Sequence, residues 1–360
     1  MIHISKRGDV SPKKATAIKL AAIAIAVLLC CIITSLTTKE NPAAVISAMF
    51  SGAFGTKRKL WVFLQNTAIL LCISVAVTPA FKMRCWNLGA EGQVLMGALT
   101  TGACMILLAD KLPGAVLFPI MIVTSVIAGA VWAVIPAFFK AKWNTNETLF
   151  TLMMNYVAIQ IMAYYVKIWE NPKGSNTVGV INQSSMAGWM PTVINKQFLI
   201  VAIVVLITVA AYVYLRYSKH GYEIAVVGES ERTARYVGIN VRKVIIRTML
   251  LSGAISGFAG FLLVSGINHT VSASLAGGQG FTAVMVSWLS KFNPLSMILS
   301  SALIIFMDAG AADISTAFGL NRSFGDILIG IIIFFIIGSE FFVNYKVSFT
   351  GKNKEEKKNV

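Results

Sequence analysis

The chain is poor in charge. Only 13% of its 360 residues are Asp, Glu, Lys or Arg, where a soluble domain carries roughly 25%. An ordinary water-soluble globule is therefore excluded. Acidic residues are scarcer still, 15 against 31 basic ones, which leaves no dense carboxylate set for an enzyme site. Histidine is nearly absent, with three residues and no pair at ligand spacing. The five cysteines lie in or beside apolar stretches without a Cys-x-x-Cys spacing, so they read as small buried hydrophobes, and neither a metal nor a cofactor is expected on this chain. No Gly-x-x-x-x-Gly-Lys-Ser/Thr run occurs, so there is no loop to cradle nucleotide phosphates. Gly-x-Ser-x-Gly and His-Glu-x-x-His are missing too, and no catalytic residue is expected.

What the chain has instead is hydrophobicity: 56% apolar residues and a mean hydropathy of +0.74. The net charge of +16 fits nucleic acid or a membrane surface when taken as a total. Nucleic-acid binding needs those charges clustered on a solvated face, and here long apolar runs separate short basic ones. A membrane helix takes about 20 mostly apolar residues. Ten segments meet or approach that requirement, at about 18–38, 60–80, 88–108, 115–138, 148–166, 197–217, 247–268, 281–291, 294–312 and 327–344. The expected fold is an all-α, polytopic membrane domain over 18–344. The eighth segment is short and follows Ala276-Gly277-Gly278-Gln279-Gly280, so a broken or half helix is expected there.

Ten spans place both termini on one side. With residues 1–17 and the tail 345–360 in the cytoplasm, more than two thirds of the 31 basic residues fall on the cytoplasmic side, as the positive-inside rule requires. Extracellular loops follow at 39–59 and 167–196, the second a structural cap or a docking surface for an external partner, and a cytoplasmic connection at 218–246.

Polar side chains at membrane depth are costly and face the protein interior, pair, or line a route. Asn87 and Glu91 are four apart, on one face if both are helical, amid Gly89, Gly92 and Gly97. Glu147, Thr151 and Asn155 make a stripe on span five. Asp308 sits near the outer end of span nine, where a helix-terminal carboxylate meets solvent. Gly253, Gly257 and Gly260 on span seven read as packing seams, and His269 follows at its outer end without an acidic neighbour. Gly89-Ala90-Glu91-Gly92-Gln93 and Gly277-Gly278-Gln279-Gly280-Phe281 form a weak repeat. With it, spans two to five and seven to ten read as two halves of opposite orientation, a transporter plan with the route between them. In the 218–246 connection, Glu229 or Ser230 caps a short helix over 231–237 that Gly238 ends.

Five runs in order carry a resemblance. They are Asn87–Gly97 (NLGAEGQVLMG), Asn146–Tyr156 (NETLFTLMMNY), Val227–Ile239 (VGESERTARYVGI), Leu251–Gly260 (LSGAISGFAG) and Gly280–Pro294 (GFTAVMVSWLSKFNP). Over about residues 60–335 the chain resembles the permease subunits of ABC importers for nucleosides and simple sugars, akin to the branched-chain amino-acid permeases. The first two runs look like the nucleoside branch. The resemblance implies a dimer of two permeases, two cytoplasmic ATP-binding subunits docking on the helix in 228–239, and an extracellular substrate-binding protein, often a lipoprotein. It also departs from the family's usual pattern at Glu229-Ser230 and at Ser287-Trp288-Leu289-Ser290.

The expected function is inward movement of a nucleoside by alternating access. The expected route residues are Asn87, Glu91, Thr151 and Asn155, with Glu147 at the span-five entrance. The expected coupling residues are Glu229, Arg232, Ala234, Arg235, Tyr236 and Gly238. The alternatives are a simple sugar as solute, or an ion-gradient-driven transporter with Glu91 or Asp308 as its coupling carboxylate.

Overall fold

The computed structural model describes residues 2–6 and 11–349; the end of the expected cytoplasmic tail, 350–360, lies outside the described residues. Nearly all regular structure is helical. The helices are α1 (Pro12–Thr38), α2 (Pro42–Phe54), α3 (Lys57–Lys82), α4 (Ala90–Leu108), α5 (Gly114–Trp143), α6 (Glu147–Trp169), α7 (Phe198–Tyr217), α8 (Lys219–Glu229), α9 (Glu231–Tyr236), α10 (Val241–Phe261, prolonged as a π-helix over Leu262–Asn268), α11 (Gln279–Leu289), α12 (Pro294–Ala317) and α13 (Arg322–Asn344). Among the described residues, nine helices are long and apolar enough to cross a membrane.

The chain forms two compact units. One holds the N-terminal residues through Phe63 and those from Leu303 onward; the other holds Leu64–Ala302. In the first, α1 and α13 pack antiparallel, with Lys19 Nζ 3.0 Å from Glu340 and the Cys30 thiol facing the Leu328 carbonyl. Strand β1 (Ile2–Lys6) pairs antiparallel with β2 (Tyr345–Phe349) at the same end. The two ends of the described chain are thus held side by side. Helix α2 fills the 39–59 loop and packs against α12; the Asp313 carboxylate accepts from Ser51 and pairs with Lys59 Nζ at 2.6 Å. Asp308 is not at a helix end, because α12 continues to Ala317. It lines a cavity with Ser315 and Asp326.

In the second unit, α4, α5 and α10 meet backbone to backbone. A Cβ on Gly257 would overlap the Ser125 carbonyl oxygen, and one on Gly97 would overlap Gly257. Only glycine permits that approach, as in small-residue seams generally. At one end of this unit an apolar cluster that includes Ala80, Cys85, Leu215, Ile224, Ala234 and Val244 mounts α8 and α9 beneath α3, α5, α7 and α10. At the other end the 171–196 segment caps the π-helix: Ser265 Oγ donates to the Gly188 carbonyl at 2.6 Å, and the Trp189 indole stacks on His269 at 3.7 Å.

Helix α11 is a half helix, as expected from its glycines. It begins beside Glu91, well inside α4's end of the unit, and runs back toward α8 and α9, where Trp288 meets Trp86 and Phe292 stacks on Phe81. Residues 269–289 are thus a loop followed by a short helix where the eighth span was expected, and this stretch is not among the nine long apolar helices. All five cysteines are buried and unpaired.

Candidate functional site

The polar centre of the second unit is built where two helices start inside the fold. The connection 83–89 is not helical, and α4 begins only at Ala90. Asn87 therefore does not share a helix face with Glu91, as the four-residue spacing suggested. Its side chain instead organises the break. Asn87 Oδ1 accepts from Gly89 N at 3.0 Å and from Gln93 Nε2 at 3.1 Å, while Nδ2 donates to Ser252 Oγ at 2.9 Å.

Helix α6 supplies the other wall. Its stripe is buried and faces the break. The Leu88 amide donates to Thr151 Oγ1 at 3.1 Å. Asn155 closes two bonds at once, accepting from Gly92 N at 2.9 Å and donating to the Leu88 carbonyl at 2.8 Å. Backbone groups left without a ladder partner by the break are thus satisfied by side chains, as burial demands. Glu147 sits one turn nearer the end of α6, paired with Lys140 Nζ at 3.0 Å.

Glu91 points the other way. Its carboxylate accepts from Gly278 N and Gly280 N, both at 2.8 Å, and so caps the first turn of α11 from a different helix. A carboxylate is favoured there because the first N–H groups of a helix have no internal partner and carry partial positive charge. Gly278 has φ +77°, and a Cβ on Gly280 would crowd the Glu91 backbone. The two glycine-rich segments read as a repeat are therefore in direct contact.

Asn87, Glu91, Thr151 and Asn155 are brought together, with their hydrogen-bonding capacity largely engaged. Two neighbours missed in the sequence have capacity left. The Trp132 indole nitrogen lies against Gly92 and has no partner, and neither has Gln279 Oε1 at the start of α11. Only the tertiary approach of α5 and α11 reveals them; a tryptophan inside an apolar run carries no signal of its own.

On the α8–α9 face, Ser230 caps α9 by accepting from Thr233 N, and Gly238 ends the turn with φ +81°, as the sequence indicated. Ala234 is fully buried in the apolar cluster, while Tyr236 is 93% exposed. Val237 is exposed. Glu229, Arg232 and Arg235 are exposed as well, Arg235 pairing with Glu231 at 3.2 Å. Helix α8 was not anticipated. Ser218 caps it, and His220, Ile224 and Val227 on its inner face are buried. His220 bridges Tyr214 Oη at 2.6 Å and Thr248 Oγ1 at 3.3 Å. Burial, and then the nearby Arg247 cation, hold its pKa below the ordinary histidine value.

Broken helices meeting at depth, a tightly packed helix core and a small helix mounted beneath it define an integral membrane transport subunit. The family model for the branched-chain amino acid transport system permease component matches residues 59–337. The chain belongs to that family. It is similar to the glucose ABC transporter permease protein of Haloferax volcanii, 27% identical over 318 residues covering 85% of this chain and 83% of the relative. It is also similar to the guanosine ABC transporter permease protein of Bacillus subtilis, 27% identical over 310 residues (84% and 88%). A third relative is a nucleoside ABC transporter permease protein of Lactococcus lactis, 24% identical over 306 residues (82% and 84%). The chain is thus a multi-pass, non-enzymatic permease of an ABC importer of the nucleoside and sugar branch, working with ATP-binding subunits and a substrate-binding protein.

Proposed function

We propose that this permease moves nucleosides into the cell. What carries the reading is hydrogen-bonding capacity left over at the junction: an unpaired donor on Trp132 and an unpaired acceptor on Gln279, beside a saturated amide and hydroxyl network. A buried polar group without a partner costs free energy, and a solute carrying both hydroxyls and ring nitrogens can recover that cost. Two of the relatives described above are named for guanosine or nucleosides, and the runs at 87–97 and 146–156 that look like the nucleoside branch interlock through Thr151 and Asn155.

In this proposal Asn87, Glu91, Thr151 and Asn155 line the route and meet solute when the α4–α11 junction parts. Glu147 with Lys140 secures the α6 end of that wall. The α8–α9 face is cytoplasmic, because most basic residues then lie inside; Tyr236 and Arg232 are the contacts for the ATP-binding subunit, with Ala234 as the anchor that carries its motion upward. A second permease chain completes the route, and both termini are cytoplasmic.

The test is uptake of labelled guanosine by cells carrying the permease with its partner subunits. Uptake that is outcompeted by nucleosides and not by glucose, and that stops on ATP depletion, is expected. Competition by glucose alone would assign the sugar reading, which the Haloferax relative favours. Uptake that survives ATP depletion and collapses with the proton or sodium gradient would assign the secondary transporter.

A further inference from the structure

The flank formed by α5 and α10 carries an apolar groove of about 680 Å³ that the transport reading leaves unused. Its origin is the glycine seam. Gly129 and Gly253 bring the two backbones together, and the residues beside them, Ala130 and Ala254, form a shallow floor. Ile127, Val131, Phe138 and Leu250 rise as its walls, each about half exposed. From Val126 to Phe138 the groove runs about 18 Å along α5, close to the depth of one leaflet of a hydrocarbon core about 30 Å thick.

The groove ends at cations. Along α5 the stripe Ile127, Val131, Val134, Phe138 continues in steps of three or four to Lys142. Lys142, eleven residues beyond Val131, therefore lies near the face of α5 that borders the groove, and Arg242 at the start of α10 meets it at that end of the two helices. Lys142 and Arg242 line a cavity of about 290 Å³ together with Lys140, Arg235, Asn144 and Glu231. Lys140 is held by Glu147 and Arg235 by Glu231. Lys142 and Arg242 have no carboxylate at ion-pair distance among the described residues. Lys142 rests over the Trp143 ring at 4.6 Å and the Phe138 ring at 5.7 Å, aromatic groups of the kind that mark a membrane–water boundary.

We propose that this flank binds one anionic phospholipid from the leaflet on the α8–α9 side, its phosphate on Lys142 and Arg242 and an acyl chain along the α5–α10 groove. Charge complementarity at the headgroup level and an apolar channel directly above it are what such a lipid needs. A second copy of the chain suits the patch poorly. A two-fold contact there would bring Lys142 and Arg242 toward the same cations of the partner, and like charges facing each other oppose association.

The experiment titrates the purified, delipidated transporter complex with phosphatidylglycerol and, separately, with phosphatidylcholine of the same acyl chains, reading bound lipid by native mass spectrometry. Phosphatidylglycerol is expected to bind at least tenfold tighter. Each cation contributes roughly fivefold to affinity for an anionic surface, so the double variant Lys142→Gln/Arg242→Gln should weaken phosphatidylglycerol about thirtyfold and leave phosphatidylcholine unchanged. Lys142→Arg/Arg242→Lys should restore the preference, which separates loss of charge from misfolding. Val131→Trp, filling the groove, should weaken both lipids alike. Equal binding of the two lipids by the wild type would overturn the proposal, as would glycerol phosphate alone binding as tightly as the whole lipid. A disulfide cross-link from Val131→Cys to a second permease chain would overturn it as well, because a protein would then occupy the groove.

Discussion

The glycine seam between α4, α5 and α10 and the junction between α4 and α11 share helix α4 but hold it by opposite means. At the seam no side chain intervenes, and the stabilising contact is dispersion between backbones that glycine alone allows to touch. At the junction contact runs through a few directional bonds: the Glu91 carboxylate to two amides, and Asn87, Thr151 and Asn155 to the broken backbone. A close-packed seam has one arrangement and resists motion. A set of charge-assisted bonds at a helix start is strong when formed yet can be exchanged one by one for water or solute. The seam is the more rigid of the two contacts, and the junction is the one that parts in the transport cycle proposed above.

The comparison breaks most severely at Gly257. Leucine there would drive its side chain into Ser125 and Gly129, and overpacking of that kind costs about 3 kcal/mol or more; the expected outcome is loss of folded permease, read as monodispersity and thermal midpoint in detergent. Glu91→Gln leaves one α11 amide facing an amide donor instead of an oxygen. Destabilisation of about 1–3 kcal/mol is expected, with guanosine uptake lost at normal expression. If uptake and thermal midpoint both match wild type, the cap has no role. Asn155→Ala removes two bonds to the 88–92 backbone and should cost about 1–2 kcal/mol while lowering uptake several-fold; unchanged uptake at normal expression removes Asn155 from the route. Trp132→Phe deletes a donor that has no partner, so stability should hold or rise by about 1 kcal/mol as the half-saturating nucleoside concentration rises. An unchanged uptake curve would detach Trp132 from solute.

The smallest effect concerns pH and the mount of α8. His220 has a folded-state pKa depressed below 6.5, first by burial and then by Arg247. The unfolded chain therefore takes up a proton that the folded one refuses. Stability is complete above about pH 6.5 and falls as pH drops from there toward the folded value. Thermal midpoints measured between pH 7.5 and 5.5 should decline, and the decline should shrink in His220→Gln.

Much of this was legible from residue order because it depends on local chemistry. Long apolar runs set the nine long helices. Ser230 and Gly238 bound α9 through cap geometry confined to a few residues, and the run of glycines before α11 announced a short helix. The parts that escaped depend on other segments. Asn87 sits in a helical spacing, yet its amide bonds Gly89 and Ser252 and stops the helix from starting until Ala90. Asp308 reads as terminal only while α12 is taken to end at 312. The nonpolar character of α8 was diluted by Lys219, Tyr222 and Glu223, so its inner face of Ile224 and Val227 was visible only against the apolar cluster. The likeness of 89–93 to 277–281 was faint as a pattern; what the fold shows is that the two segments touch, Glu91 capping the helix that 277–281 begins.

All five cysteines of this chain are buried, which keeps them from thiol reagents in water. At Cys85, outside the spans, burial above all, with help from the Glu147 carboxylate, also pushes the pKa up to about 12, so at neutral pH almost none of it is thiolate. A single cysteine placed at an exposed site such as position 236 would then be labelled against a dark background, and the distance from an exposed site on α5, such as 131, to one on α11, such as 281, would report whether the α4–α11 junction opens, without first stripping the native protein of its own sulfur.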